Sequence, residues 1–188
     1  GGNNNYGPQD TPAIVRGLYA YATQTLHYCD AHYNFFIDRY GQIFEGRYGS
    51  VWDPVRAAHT TGFNTGSVGV ALIGNFQNVP PPPAAIDALE ALLAWKLNWH
   101  GVDPTRPVAY PTISGTDRWP AGSTHILPYI VGHRDPGSTD CPGDFVYSQL
   151  PNIRLNVAAR ILSGGADGMY PHVAPPTKPK IAVLSSYG

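Results

Sequence analysis

The chain has 188 residues, a net charge of −1 and only 13% charged residues. That balance excludes an electrostatic nucleic-acid binder, which needs a basic surplus. Hydrophobic content of 43% excludes wholesale disorder, and no apolar run reaches the roughly 18 residues that mark a membrane span. Forty residues are Gly or Pro, so a bundle of long regular helices is not expected. Cys29 and Cys141 are too few for a disulfide framework. Nine Arg stand against three Lys, and twelve Tyr suit polar, sugar-like or peptide-like ligands. The start, Gly1-Gly2-Asn3-Asn4-Asn5, reads as the middle of a loop.

Asp10-Thr11-Pro12 opens a helix, with Thr11 the expected N-cap and Pro12 at the first helical position. From Ala13 to His27 the apolar stripe is Ile14, Leu18, Tyr21 and Thr25, with Val15, Ala22 and Leu26 beside it. The period then changes to two. His32 to Ile37 and Gln42 to Glu45 form a hairpin around the turn Asp38-Arg39-Tyr40-Gly41. Val68 to Ile73 is a central strand covered on both faces. Ala84 to His100 is a helix with Ile86, Leu89, Leu93 and Leu97 in register and Gly101 as its stop. Residues 102–125 are rich in turn formers and carry no assigned element. Tyr129 to Val131 is a short strand leading into Gly132-His133. Phe145 to Leu162 is a helix interrupted near Pro151. This order gives an α/β fold: a mixed sheet with helices packed on its faces. Residues 1–162 form one domain. Residues 163–188 read as a Pro/Gly-rich linker or docking tail, whose apolar end, Ile181 to Leu184, suits a strand on an unknown partner.

The chemistry concentrates in the segment from Gly132 to Gly143. His133 ends a strand, and a Pro/Gly loop brings Cys141 back eight residues later. Imidazole nitrogen with thiolate sulfur is half of a tetrahedral zinc site. A core histidine beside a buried free thiol fits the same spacing. His59 precedes a loop and suits the wall of a cleft, while His27, His100, His125 and His172 read as structural.

Four segments, taken together, resemble the type 2 N-acetylmuramoyl-L-alanine amidases, the family of phage T7 lysozyme and the peptidoglycan recognition proteins. They are Asp30 to Phe35, Gly41 to Arg47, Val70 to Phe76, and the loop from His133 to Gly143. They follow the family order, and the loop inserted at 102–128 is similar to that of secreted actinobacterial members. The resemblance implies a zinc cleft on one side of the sheet and hydrolysis of the amide between N-acetylmuramic acid and L-alanine. It implies His133 and Cys141 as two zinc ligands. Tyr33 would face the attacking water or oxyanion, and Thr139 would stand as a polar helper. His59, Tyr48 and Asn75 would contact substrate. The implied cofactor is Zn2+ and the implied partner is peptidoglycan or a muropeptide, met outside the cell at the wall. The tail at 163–188 offers a place for a protein partner.

Three departures from the family pattern matter. The family's first zinc histidine ends an early strand, which alignment puts just ahead of Gly1; the chain given is expected to be incomplete at its N-terminus or a processed form, with a ligand-deficient relative as the other alternative. The alternative function is then a catalytically deficient peptidoglycan-binding module or a structural subunit. His32 replaces the family's glycine, and alternation points it away from Tyr33. Tyr48-Gly49 occupies the pair that bears on diaminopimelate versus lysine in the stem peptide and matches neither familiar pair.

Overall fold

A computed structural model describes residues 4–164 and 181–187. The Pro-rich stretch 165–180, with His172, lies outside the described residues, as do residues 1–3 and 188. The elements run α1 (Thr11–Ala20), a π-helical turn (Tyr21–Thr25), β1 (Phe35–Ile37), β2 (Ile43–Glu45), β3 (Ser67–Ile73) and α2 (Pro83–Trp99). They continue with β4 (Pro107–Pro111), β5 (Thr124–Pro128), β6 (Ile130–Gly132), α3 (Asp144–Tyr147), α4 (Leu150–Leu162) and β7 (Ile181–Tyr187). The main sheet has the order β2-β1-β3-β7-β6. β2 runs antiparallel to β1, while β1, β3, β7 and β6 are parallel neighbours. The expected mixed sheet with helices on its faces is therefore the fold.

All seven residues of β3 are buried. Its alternate side chains feed two layers, as a pleated strand requires. Val68, Val70 and Leu72 face one cluster with Phe35 and Ile37, covered by Leu89, Leu92, Leu93 and Leu97 of α2 and by Leu150, Ile153 and Val157 of α4. Ala71 and Ile73 face the other side with Phe36, covered by Ile14, Val15 and Leu18 of α1. Further along that second face, Val131 and Val183 are covered by Phe63 and Tyr110.

The helices show where sequence reasoning stopped short. Thr11 is not the cap. Asp10 stands at the N-cap, and the Thr11 hydroxyl donates to Asp38 Oδ2 at 2.7 Å, tying α1 to the β1–β2 turn. The regular stripe ends at Ala20, where the π-turn inserts an extra residue. This rotation leaves Tyr21 exposed and buries Ala22. The interruption expected near Pro151 separates α3 from α4, with Pro151 in the first turn of α4.

Two regions gained structure that the sequence did not announce. Residues 107–128, read as turn-rich, hold the antiparallel hairpin β4–β5, with Ala109 opposite Ile126 and Tyr110 opposite His125. Its strands are Pro-flanked and half exposed, so the apolar alternation is weak. The apolar end of the tail is β7, paired along its whole length with β3 and also with β6. What it docks on is this chain's own sheet. Among the described residues, no helix is long and apolar enough to cross a membrane.

Lys96 is buried on α2, at 3% exposure. Its Nζ donates to the carbonyls of Ser50 at 2.6 Å and Val51 at 3.2 Å. It also lies 4.7 Å from the Trp95 ring centre and 5.4 Å from that of Trp99, within cation–π range. Burial pulls its pKa down to about 8, against the opposing pull of Glu45 and Asp53. The unfolded chain therefore holds the proton up to a higher pH than the fold does, so between about pH 8 and 10 stability rises with pH. Measured by denaturant unfolding, wild type should gain stability over that range relative to Lys96→Met, by at most about 1.4 kcal/mol per pH unit.

Candidate functional site

The site lies on the second face of the sheet, between the end of the first helix and the β4–β5 hairpin. A cleft of about 210 Å³ is lined there by Tyr28, His59, Thr60, Thr116, Asp117 and His133, among others. A second cavity of about 330 Å³, at the carboxyl ends of β3 and β7, is lined by Asn75, Gln77, Thr139, Asp140, Cys141, Gly143 and Ser186. The carboxyl ends of parallel strands are where open α/β sheets place their ligands.

His133 follows β6 directly, and its backbone N–H still donates to Leu184 O of β7 at 2.9 Å. The loop it opens closes on itself: Arg134 N donates to Cys141 O at 2.9 Å. Asp135 reinforces the loop base, accepting from Gly132 N at 2.8 Å and from the Tyr147 hydroxyl at 2.5 Å. Thr139 Oγ1 accepts from Cys141 N at 3.2 Å. Burial alone would raise the Cys141 pKa, but hydrogen bonds with His133, Ser185 and Thr139 outweigh it and bring the thiol down to about 6. The His133 and Cys141 side chains are thus in hydrogen-bond contact.

His59 sits on the floor of the cleft because β3 has a glycine beneath it. A Cβ at Gly69 would fall 2.3 Å from His59 Cδ2. The ring nitrogens face hydroxyls, Nδ1 at 3.2 Å from Thr60 Oγ1 and Nε2 at 3.3 Å from Ser67 Oγ. Burial pushes the pKa of His59 down to about 3, and His133 and His32 add to the effect, so the ring stays neutral. Tyr33, 5% exposed, stacks on it with centroids 6.0 Å apart. His32 is also buried, its pKa lowered to about 4 by desolvation, and its ring centre lies 4.8 Å from that of Tyr33. The expectation that His32 points wholly away from Tyr33 does not hold, because regular pairing of β1 begins only at Phe35 and alternation does not extend to residue 32.

The remaining expected residues divide. Asn75 Oδ1 accepts from Gln77 N at 3.0 Å, and Asn75 shares the second cavity with Thr139 and Cys141. Tyr48, 86% exposed, lines neither of these two cavities. Its loop is nevertheless pinned, since Tyr48 N donates to Asp30 Oδ2 at 2.9 Å and Arg47 Nη1 to Ala31 O at 2.8 Å. Sequence reasoning missed Asn34, whose side chain bridges three segments: Nδ2 donates to Ser50 Oγ and Val55 O, and Oδ1 accepts from Gly69 N at 2.8 Å. It also missed Thr116 and Asp117, which belong to the unforeseen hairpin.

The donor set fits a zinc ion only in part. His133 and the thiolate-prone Cys141 suit the metal, and His133 Nδ1 is buried without a well-aligned hydrogen bond. Beside Cys141 stands the buried Ser185 of β7. A neutral serine hydroxyl is a poor zinc ligand. Among the described residues no three His, Cys, Asp or Glu side chains converge.

Residues 6–144 match the family model described as N-acetylmuramoyl-L-alanine amidase. The chain belongs to that family. A peptidoglycan recognition protein from Trichoplusia ni is 33% identical over 137 residues, covering 73% of this chain and 61% of that protein. An N-acetylmuramoyl-L-alanine amidase from Sus scrofa is 30% identical over 169 residues, 87% of this chain but 24% of its own length. The chain thus spans less than two thirds of these curated relatives. Among solved structures, Drosophila PGRP-LB superposes with a TM-score of 0.58 at 26% identity, covering 77% of this chain and 70% of that one.

In this member of the amidase family the cleft depends on the missing Cβ of residue 69. Gly69→Ala should keep the fold, displace the His59 ring and cost about 1–3 kcal/mol, the usual penalty for overpacking. NMR spectra of the histidine rings should show the His59 signals moving most, with melting checked in parallel.

Proposed function

We propose that this amidase-family domain acts on peptidoglycan outside the cell, hydrolysing the amide between N-acetylmuramic acid and L-alanine. The observation that carries the reading is the contact of His133, which lines the cleft, with Cys141, which lines the second cavity, on a loop held closed by its own backbone. These two residues would hold a zinc ion, which when bound polarises the amide and acidifies water. The chain's own groups do the rest. Tyr33 supplies a hydroxyl toward the developing oxyanion, and Thr139 orients the Cys141 segment. His59, neutral and braced by Thr60 and Ser67, forms a fixed wall for the substrate rather than a mobile base. Asn75 and Tyr48 extend the contact surface along the glycan-peptide. Drosophila PGRP-LB, in a tyrosine-to-phenylalanine mutant form, has been solved in complex with tracheal cytotoxin.

A second reading has its own support. The side chain beside Cys141 on β7 is the buried Ser185, a neutral hydroxyl and a poor zinc ligand, which favours muropeptide binding without cleavage. One experiment separates the two. The 188-residue chain is incubated with muramyl peptides, with and without added zinc, while free L-alanine amino termini and ligand binding are both measured. Zinc-dependent release, lost in Cys141→Ser and lowered roughly tenfold or more in Tyr33→Phe, supports hydrolysis. Binding without release, unchanged in Cys141→Ser, supports the recognition module. Neither binding nor release overturns both.

A further inference from the structure

The β4–β5 hairpin is a built wall of the cleft, and it presents one charge to the ligand. Phe63, fully buried beside the His59 loop, stacks on Tyr110 at 4.1 Å and packs against Trp119 at 5.9 Å. Trp119 in turn stacks on His125 at 3.9 Å. The Tyr110 hydroxyl donates to Thr65 O at 2.7 Å. At the tip, a Cβ on Gly62 would fall 2.2 Å from Gly115 O, so the two backbones touch. Gly62 also has φ of 78°, in the left-handed region that glycine favours. Thr116 then closes a tight turn, accepting from Arg118 N at 3.1 Å and Trp119 N at 2.9 Å. That turn holds Asp117 across the cleft from the His133 loop, where Asp117 Oδ2 accepts from Ser138 N at 3.3 Å.

Asp117 is the sole Asp, Glu, Lys or Arg among the described residues lining this cleft. The other lining groups are hydroxyls, the apolar Ala58 and Pro136, Gly137, and two histidines, of which His59 is held neutral. A ligand carboxylate at this end would meet a fixed like charge. A ligand ammonium would gain both Coulomb attraction and a charged hydrogen bond. Resting on the muropeptide reading above, we propose that Asp117 is a specificity residue: it selects stem peptides that place a primary ammonium at the hairpin end of the cleft.

Because Asp117 is exposed, the gain is expected to be modest and sensitive to salt. The test uses two muramyl tripeptides that differ in a single group, one ending in L-lysine and the other in its Nε-acetyl form. Affinities are measured by calorimetry at low and high salt for wild type and Asp117→Asn. Wild type should bind the free-amine peptide about fivefold more tightly at low salt, with the ratio shrinking at high salt. Asp117→Asn should bind both equally, at the affinity wild type shows for the acetylated one. Equal binding by wild type, or a preference that survives in Asp117→Asn, overturns the proposal. Loss of both ligands in the variant assigns Asp117 to holding the wall and likewise overturns it. If wild type binds neither peptide, the muropeptide reading falls along with it.

Discussion

Everything in this molecule is referred to β3, a strand with no exposed residue. A strand buried on both faces forces every neighbour to supply cover. α2 and α4 cover one side, while α1 and the β4–β5 hairpin share the other. The second side is where covering is incomplete. Between α1 and the hairpin the sheet is roofed only by the His59 ring and its neighbours, and that gap is the cleft. Gly69 is the pivot of the arrangement, because any larger residue there would evict the ring.

Around that gap, polar side chains work as rivets between loops. Asn34 joins the β1 edge to β3 and to the loop after β2. Lys96 reaches from α2 to the same loop from beneath. Asp135 fastens the base of the His133 loop. Each of these polar groups has specific partners, which is what burial of a polar group requires. The result is a rigid frame under loops that carry the reactive side chains. Rigid support of this kind keeps the relative placement of the side chains on those loops from drifting.

Beside the His133–Cys141 pair the sheet supplies a neutral side chain. β7 lies between β3 and β6 and brings Ser185 beside Cys141. His59 is no ready substitute, since its ring is wedged on Gly69 and flanked by Thr60 and Ser67. His133 and Cys141 face each other across the loop. Their geometry comes from loop closure, which is independent of any ion.

Periodicity and punctuation made much of the fold legible. The β1–β2 hairpin, the all-apolar β3, the helix ending at Gly101 and the break near Pro151 were local patterns, fixed by side-chain alternation, helical spacing and the backbone limits of Gly and Pro. The spacing of His133 and Cys141 left their contact open; it is made by the loop's backbone closure from Arg134 N to Cys141 O. What tertiary structure alone decided lay in contacts between distant segments. The hairpin at 107–128 has weak alternation because its outer face is in solvent, and only stacking against Phe63 makes it a wall. The π-turn shifted the helical stripe where propensity saw none. β7 found its neighbours in a sheet gap that no local signal reveals. Asp117 became a cleft residue only when that wall folded against the His133 loop. A sequence dictates local conformation through nearby sterics and hydrophobic spacing, whereas which surfaces meet depends on the burial of the chain as a whole.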